Sequence, residues 1–146
     1  MFGTDVLKSF DGTVVPLELG FIDAFELAES PARPISVLKN GAAAVLSGWL
    51  QRTGDMSDDV EPVAVIRELE SGRILTYPLD LVLRPDLVAA YGDETSEHWG
   101  MYGSIVPMTM YEVVIGAVEV TLGWQHGEDT LWSLTEIRTA EVTYGG

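Results

Sequence analysis

The stretch EVVIGAVEVTLGW, residues 112–124, limits the fold more than any other part of the chain. Val114, Gly116, Val118, Val120 and Leu122 fall on one face of an extended segment, and Val113, Ile115, Ala117, Glu119 and Thr121 on the other. A strand that is largely apolar on both faces has to be covered on both, which places it inside a sheet rather than at an edge. Gly116 then marks a bend or a close approach of another backbone.

The rest of the chain supplies shorter strands for it to pair with. Asp11-Gly12 is a turn signal, and the segment from Val14 to Leu19 carries Pro16, which is tolerated at a sheet edge; this first strand is expected to be peripheral. FIDAFELAES alternates imperfectly through Phe21, Asp23, Phe25 and Leu27, and it reads as strand although Phe21 and Phe25 also suit a helix. ISVLKNGAAAVL reads as two strands joined in a hairpin at Asn40-Gly41, since both residues accept positive φ. Trp49 closes the second of them as a packing residue. VAVIRELESGRILTY is a second hairpin turning at Glu70-Ser71-Gly72. RPDLVAAYG is the one helical candidate, opened by Pro85 and stopped by Gly92. YGDETSEHWGMYGS lacks periodicity and reads as a long loop, while TLWSLTEIRTAEVTY gives two short strands or one irregular one.

This pattern predicts an all-β protein: an antiparallel β-sandwich or partly open barrel with eight to ten strands and at most one short helix. With 146 residues, 47% of them apolar, the whole chain, 1–146, is expected to form a single β domain.

Charge and cysteine content remove several functional classes. Twenty-three acids against eight bases give a formal charge of −15, so nucleic acid phosphates and anionic lipid are expected to repel the surface. No apolar run is long enough to span a bilayer, and no membrane partner is expected. The absence of cysteine excludes disulfides, thiolate catalysis and cysteine-ligated metals. MFGTDVLKSF does not read as a secretory signal, which predicts a cytoplasmic protein or part of a particle assembled there.

Two loops hold the candidate functional residues. TGDMSDDVEP, 53–62, places Asp55, Asp58, Asp59 and Glu61 within seven residues. Counted from Asp55, an EF-hand would need glycine sixth and glutamate twelfth; Val60 and Ile66 stand there, so the motif fails. A looser calcium site from Asp55, Asp59 and Glu61 is weighed against a solvated connection, which is the simpler reading. In the second loop Tyr91, His98, Trp99 and Tyr102 offer stacking surfaces to a partner or ligand, with Asp93, Glu94 and Glu97 as acceptors. The same aromatics would also serve to cover a sheet end.

Catalytic patterns are weak. Ser96, Glu97 and His98 have triad residue types without an elbow motif, and two histidines cannot form a three-histidine metal site. The leading expectation is a non-catalytic protein-interaction or assembly module, not an enzyme and without a cofactor, acting through a protein partner or self-association, as in a phage or secretion-apparatus structure. A small-molecule or carbohydrate-binding barrel lined by Trp49, Trp99, Trp124 and Trp132 is the alternative. An acidic inhibitor or immunity protein for a basic partner is a third reading.

Overall fold

The computed structural model describes residues 6–28, 30–34, 37–39, 42–107 and 114–143. Its strands are β1 (Lys8–Ser9), β2 (Thr13–Leu17), β3 (Gly20–Leu27), β4 (Ser30–Pro34), β5 (Val37–Lys39), β6 (Ala44–Leu50), β7 (Glu61–Glu68), β8 (Ile74–Pro78), β9 (Asp80–Val82), β10 (Gly100–Ile105), β11 (Gly116–His126), β12 (Thr130–Leu134) and β13 (Arg138–Thr143). Ten of these are five residues or longer. One helix, α1 (Pro85–Tyr91), and a 3-10 turn, Glu94–His98, lie between β9 and β10.

The doubly apolar strand, β11, is central. It pairs with β7 along one side, and on its other side with β12 over its second half and β13 over its first. Where β12 leaves and β13 takes over, the buried Thr121 hydroxyl meets the carbonyls of Leu134 and Glu136, filling the break in the ladder. The full path of this eight-stranded sheet runs β1-β8-β7-β11-β12-β2, with β13 and β5 continuing beside β11. The second sheet has the order β4-β3-β6-β10-β9.

The inner faces meet in a single large core. Ile22, Phe25, Leu46, Leu50, Met101 and Ile105 from the five-stranded sheet oppose Ile66, Leu75, Val118, Val120, Leu122 and Trp124 from the other. Trp124 is wholly buried and its Nε1 donates to the Leu50 carbonyl at 3.0 Å, a hydrogen bond that crosses between the sheets. A second tie runs from two charged side chains to the Ile22 backbone. The register of β3 against β6 slips between Ile22 and Ala24. There the Ile22 N–H donates to Glu136 Oε1 at 3.2 Å, the Arg138 guanidinium donates to the Ile22 carbonyl at 3.1 Å, and Arg138 and Glu136 pair at 2.6 Å.

The eight-stranded sheet also curls. Only residues 10–12 join β1 to β2, which stand at opposite ends of its six-strand path. Four Cα steps reach at most about 15 Å, whereas six flat strands would spread over roughly 24 Å. Phe10, in this crossing, packs into the concave outer face on Val63, Val65 and Leu131 and forms a separate small core. The sheet curls without closing, so the fold is a sandwich with one strongly bent layer.

Most expected elements are present. Pro16 lies in an edge strand, the 61–78 hairpin forms, and α1 begins at Pro85 and ends on Gly92 at φ +68°. Three expectations change. The Asn40-Gly41 turn lies outside the described residues, and the strands around it do not pair: β5 runs parallel to β13, whereas β6 lies in the other sheet between β3 and β10. The chain crosses between layers there. The sheets are not wholly antiparallel, because β2 pairs with β12 and β5 with β13 in parallel. The segment expected as a long loop, 91–104, contains the 3-10 turn and most of β10. No described helix is long and apolar enough to cross a membrane.

Candidate functional site

The outer face of the five-stranded sheet is built from rows of residues fixed by register. Phe21, Trp49, Gly100 and Val82 form one row, and Ala24, Ser47, Tyr102 and Asp80 the next outward-facing row. Part of this face is covered by the connection between β9 and β10. Trp49, Leu87 and Trp99 form a buried cluster there. The Trp49 and Trp99 rings stack at 6.1 Å with a 20° interplanar angle, and Tyr91 sits 5.4 Å from Trp49 and 6.0 Å from Trp99.

One arginine fastens this cover to the sheet. The Arg84 guanidinium donates to both carboxylate oxygens of Asp86, at 2.9 and 2.8 Å, and reaches Asp23 on β3 at 2.7 Å. Its hydrogen bonds to Asp86 hold that carboxyl below its ordinary value and raise the pKa of the arginine itself. The stem of Arg84 runs over Gly100. A Cβ at position 100 would collide with Arg84 Cγ and with the Val82 carbonyl oxygen, so the glycine leaves the space for the crossing.

Beyond this cover the face is open among the described residues. Phe21 is 49% exposed, Tyr102 45% and Val82 37%, whereas Leu81, 58% exposed, pairs with the buried Met101 and points to the other side of the edge strand. β9 is the edge strand on this side, only three residues long.

A polar cleft of about 610 Å³ opens beside the aromatic cluster, between residues 51–58 and 93–99. Arg52, Met56, Asp58, Asp93, His98 and Trp99 line it. The two loops singled out in the sequence therefore meet across one cleft. Arg52 lies over the Trp124 ring, 5.2 Å from its centroid. Asp93 accepts from both the N–H and the hydroxyl of Thr95, which lowers the pKa of its carboxyl.

The sequence-derived residues separate accordingly. Tyr91 and Trp99 touch, but Trp99 is only 3% exposed and acts as cover rather than as a free stacking platform. His98 lines the cleft, and Tyr102 stands on the open outer face. Ser96 is buried and its hydroxyl donates to the Asp93 carbonyl at 2.5 Å, committing it to its own turn.

The three candidate calcium ligands do not converge. Asp55 accepts from Thr53, and Asp59 accepts from Ser57 and lies 3.3 Å from His126. The Ser57 hydroxyl is the main cause lowering the Asp59 pKa, with His126 contributing. Asp59 and Glu61 line a hollow together with Lys8. Among the described residues no three His, Asp or Glu side chains form a group able to hold a metal ion.

Sequence reasoning missed Phe21, Leu81, Val82 and Leu83 as surface residues. The available signal was PLDLVL between two prolines, the pattern of a short guarded edge strand. It also missed Arg52, the only basic residue between Lys39 and Arg67. Compared with protein-family models, curated proteins and solved structures, the chain gives no match in any of the three.

Proposed function

We propose that the protein is a non-catalytic interaction module that binds a protein partner through the open outer face of the five-stranded sheet. The observation that carries this reading is the group of large apolar side chains left exposed on the outward rows of β3, β9 and β10, namely Phe21, Val82 and Tyr102. A monomer that had no use for such a patch would leave it liable to aggregation. Aromatic residues at the centre of a rigid surface are the usual anchors of protein interfaces. The edge of β9, unpaired among the described residues, supports a further strand adding to it.

Charge argues for the kind of partner. Asp80, in the row of Tyr102, and Asp86 are exposed on this side, and the chain carries a formal charge of −15. Two copies meeting here would bring like charges together. A segment with an apolar centre and flanking Lys or Arg is favoured instead. The four tryptophans are all buried, which weighs against a carbohydrate-binding barrel that stacks sugars on them. Exposed acids occur on many separate connections, including Asp11, Asp58, Glu70, Asp86 and Glu128, and this dispersion does not favour a single acidic inhibitory face.

A photo-crosslinking residue placed at Tyr102, with a control at Leu69, tests the reading in cells producing the protein. The expected result is an adduct at position 102 only, to a protein segment bearing Lys or Arg, lost when Phe21→Asp is added. Equal adducts at both positions, or adducts at 102 only to a second copy, would count against it.

A further inference from the structure

We propose that the cleft between residues 51–58 and 93–99 binds a small zwitterion, its carboxylate seated on Arg52 beside Trp99 and its ammonium facing Asp58 and Asp93. The site is separate from the protein-binding face and is marked by groups that the fold leaves without partners.

Arg52 is the first. Arg67, Arg73, Arg84 and Arg138 each pair with a carboxylate of the chain. Arg52 has no carboxylate within ion-pair distance among the described residues, although acids outnumber bases by 23 to 8. Its guanidinium is instead held over Trp124, a contact that fixes its orientation and leaves its fork of N–H donors available. Trp99 is the second. Its Nε1 is buried and has no hydrogen-bond partner among the described residues. An indole N–H is donor only, and leaving it unmet costs free energy comparable to a lost hydrogen bond. Both residues line the same cleft.

The remaining polar groups select the ligand. The hydroxyls of Thr53 and Thr95 already donate, to Asp55 and Asp93. Asp58 and Asp93 line the cleft as carboxylates. A simple anion is opposed by these two acids, and a simple cation by Arg52. A molecule with a carboxylate and an ammonium meets both, with the acidic loops favouring its positive end. The open cleft of about 610 Å³ has ample room for it.

The test uses ¹⁵N-labelled full-length protein, whose four tryptophans give four indole resonances, with that of Trp99 identified by Trp99→Phe. The probes are glycine, β-alanine and γ-aminobutyrate, which space the two charges differently, with acetate and methylammonium as single-charge controls. At least one zwitterion is expected to move the Trp99 resonance saturably, with both controls binding tenfold or more weakly. Arg52→Gln should weaken that zwitterion tenfold or more, about 1.4 kcal/mol. Asp58→Asn, at an exposed loop position, should weaken it likewise while the melting temperature holds, which separates lost binding from lost folding. The proposal is overturned if no zwitterion moves the resonance, if acetate binds as well, or if both variants bind as the parent does.

Discussion

The two outer faces of the sandwich solve the same problem differently. Each sheet has apolar side chains pointing away from the central core. On the eight-stranded sheet the chain covers the middle strands itself: curling brings β1 and β2 together, and Phe10 in the crossing seals Val63, Val65 and Leu131, while Ile137 stays partly open beside Val14. On the five-stranded sheet, α1 and the 3-10 turn cover only the Trp49 end, leaving Phe21, Val82 and Tyr102 in contact with water. The contrast separates apolar surface that serves folding from apolar surface available for recognition.

Two phenylalanines give that contrast its largest expected effect. Phe10 is 6% exposed and sits in a small core of its own, so Phe10→Ala should cost about 3–5 kcal/mol. Phe21→Ala, on the open face, should change stability by no more than about 0.5 kcal/mol. Chemical denaturation of both variants checks this. A comparable loss from Phe21→Ala would mean that the five-stranded face is part of the folding core, and the proposed interaction surface would fail with it.

The sequence made the sheets legible wherever polar and apolar residues alternate, and less so where the signal depends on distant partners. β11, the 61–78 hairpin and α1 follow from periodicity and from proline and glycine at their ends. β10 was hidden because two of its six residues, Gly100 and Gly103, have no side chain to show a period. Their reason lies elsewhere in the chain: a Cβ would meet Arg84 at one and Leu79 at the other. The separation of β5 from β6 was invisible because a turn signal specifies a local reversal, not which strand pairs next. The candidate site was legible as two loops, but their meeting across one cleft depends on the layer order, and Arg52 acquires meaning only beside Trp124 and Trp99.

Gly100 gives the next effect. Gly100→Ala places a methyl group against the Val82 carbonyl oxygen, which is backbone, as well as against the Arg84 stem. β9 must move away from β10, with an expected cost of about 1–3 kcal/mol. Because β9 carries Val82, the same substitution should also reduce crosslinking from position 102. Gly54→Ala provides the control, since a Cβ there meets nothing within 4 Å. Equal stability of the two variants would show that the Arg84 crossing places no steric demand on the sheet.

The smallest effect compares one arginine from each outer face. Arg67 lies 3.9 Å from Glu119 on the eight-stranded sheet, and its side chain is half exposed. Such a pair contributes little, so Arg67→Gln should stay within about 0.5 kcal/mol. Arg84 instead holds two acids and fastens α1 across the other sheet. Hydrogen bonding from Arg84, with its positive charge, keeps the Asp86 carboxyl below the ordinary value of 3.8. The folded value is therefore lower than the unfolded one. Its contribution is fully present above pH 3.8 and is lost as pH falls through the folded value. Melting curves of the parent and Arg84→Gln should differ at neutral pH and converge in acid, while parent and Arg67→Gln stay close throughout. A gap for Arg84→Gln that persists undiminished into strong acid would assign the arginine's effect to its apolar stem over Gly100 rather than to its charge.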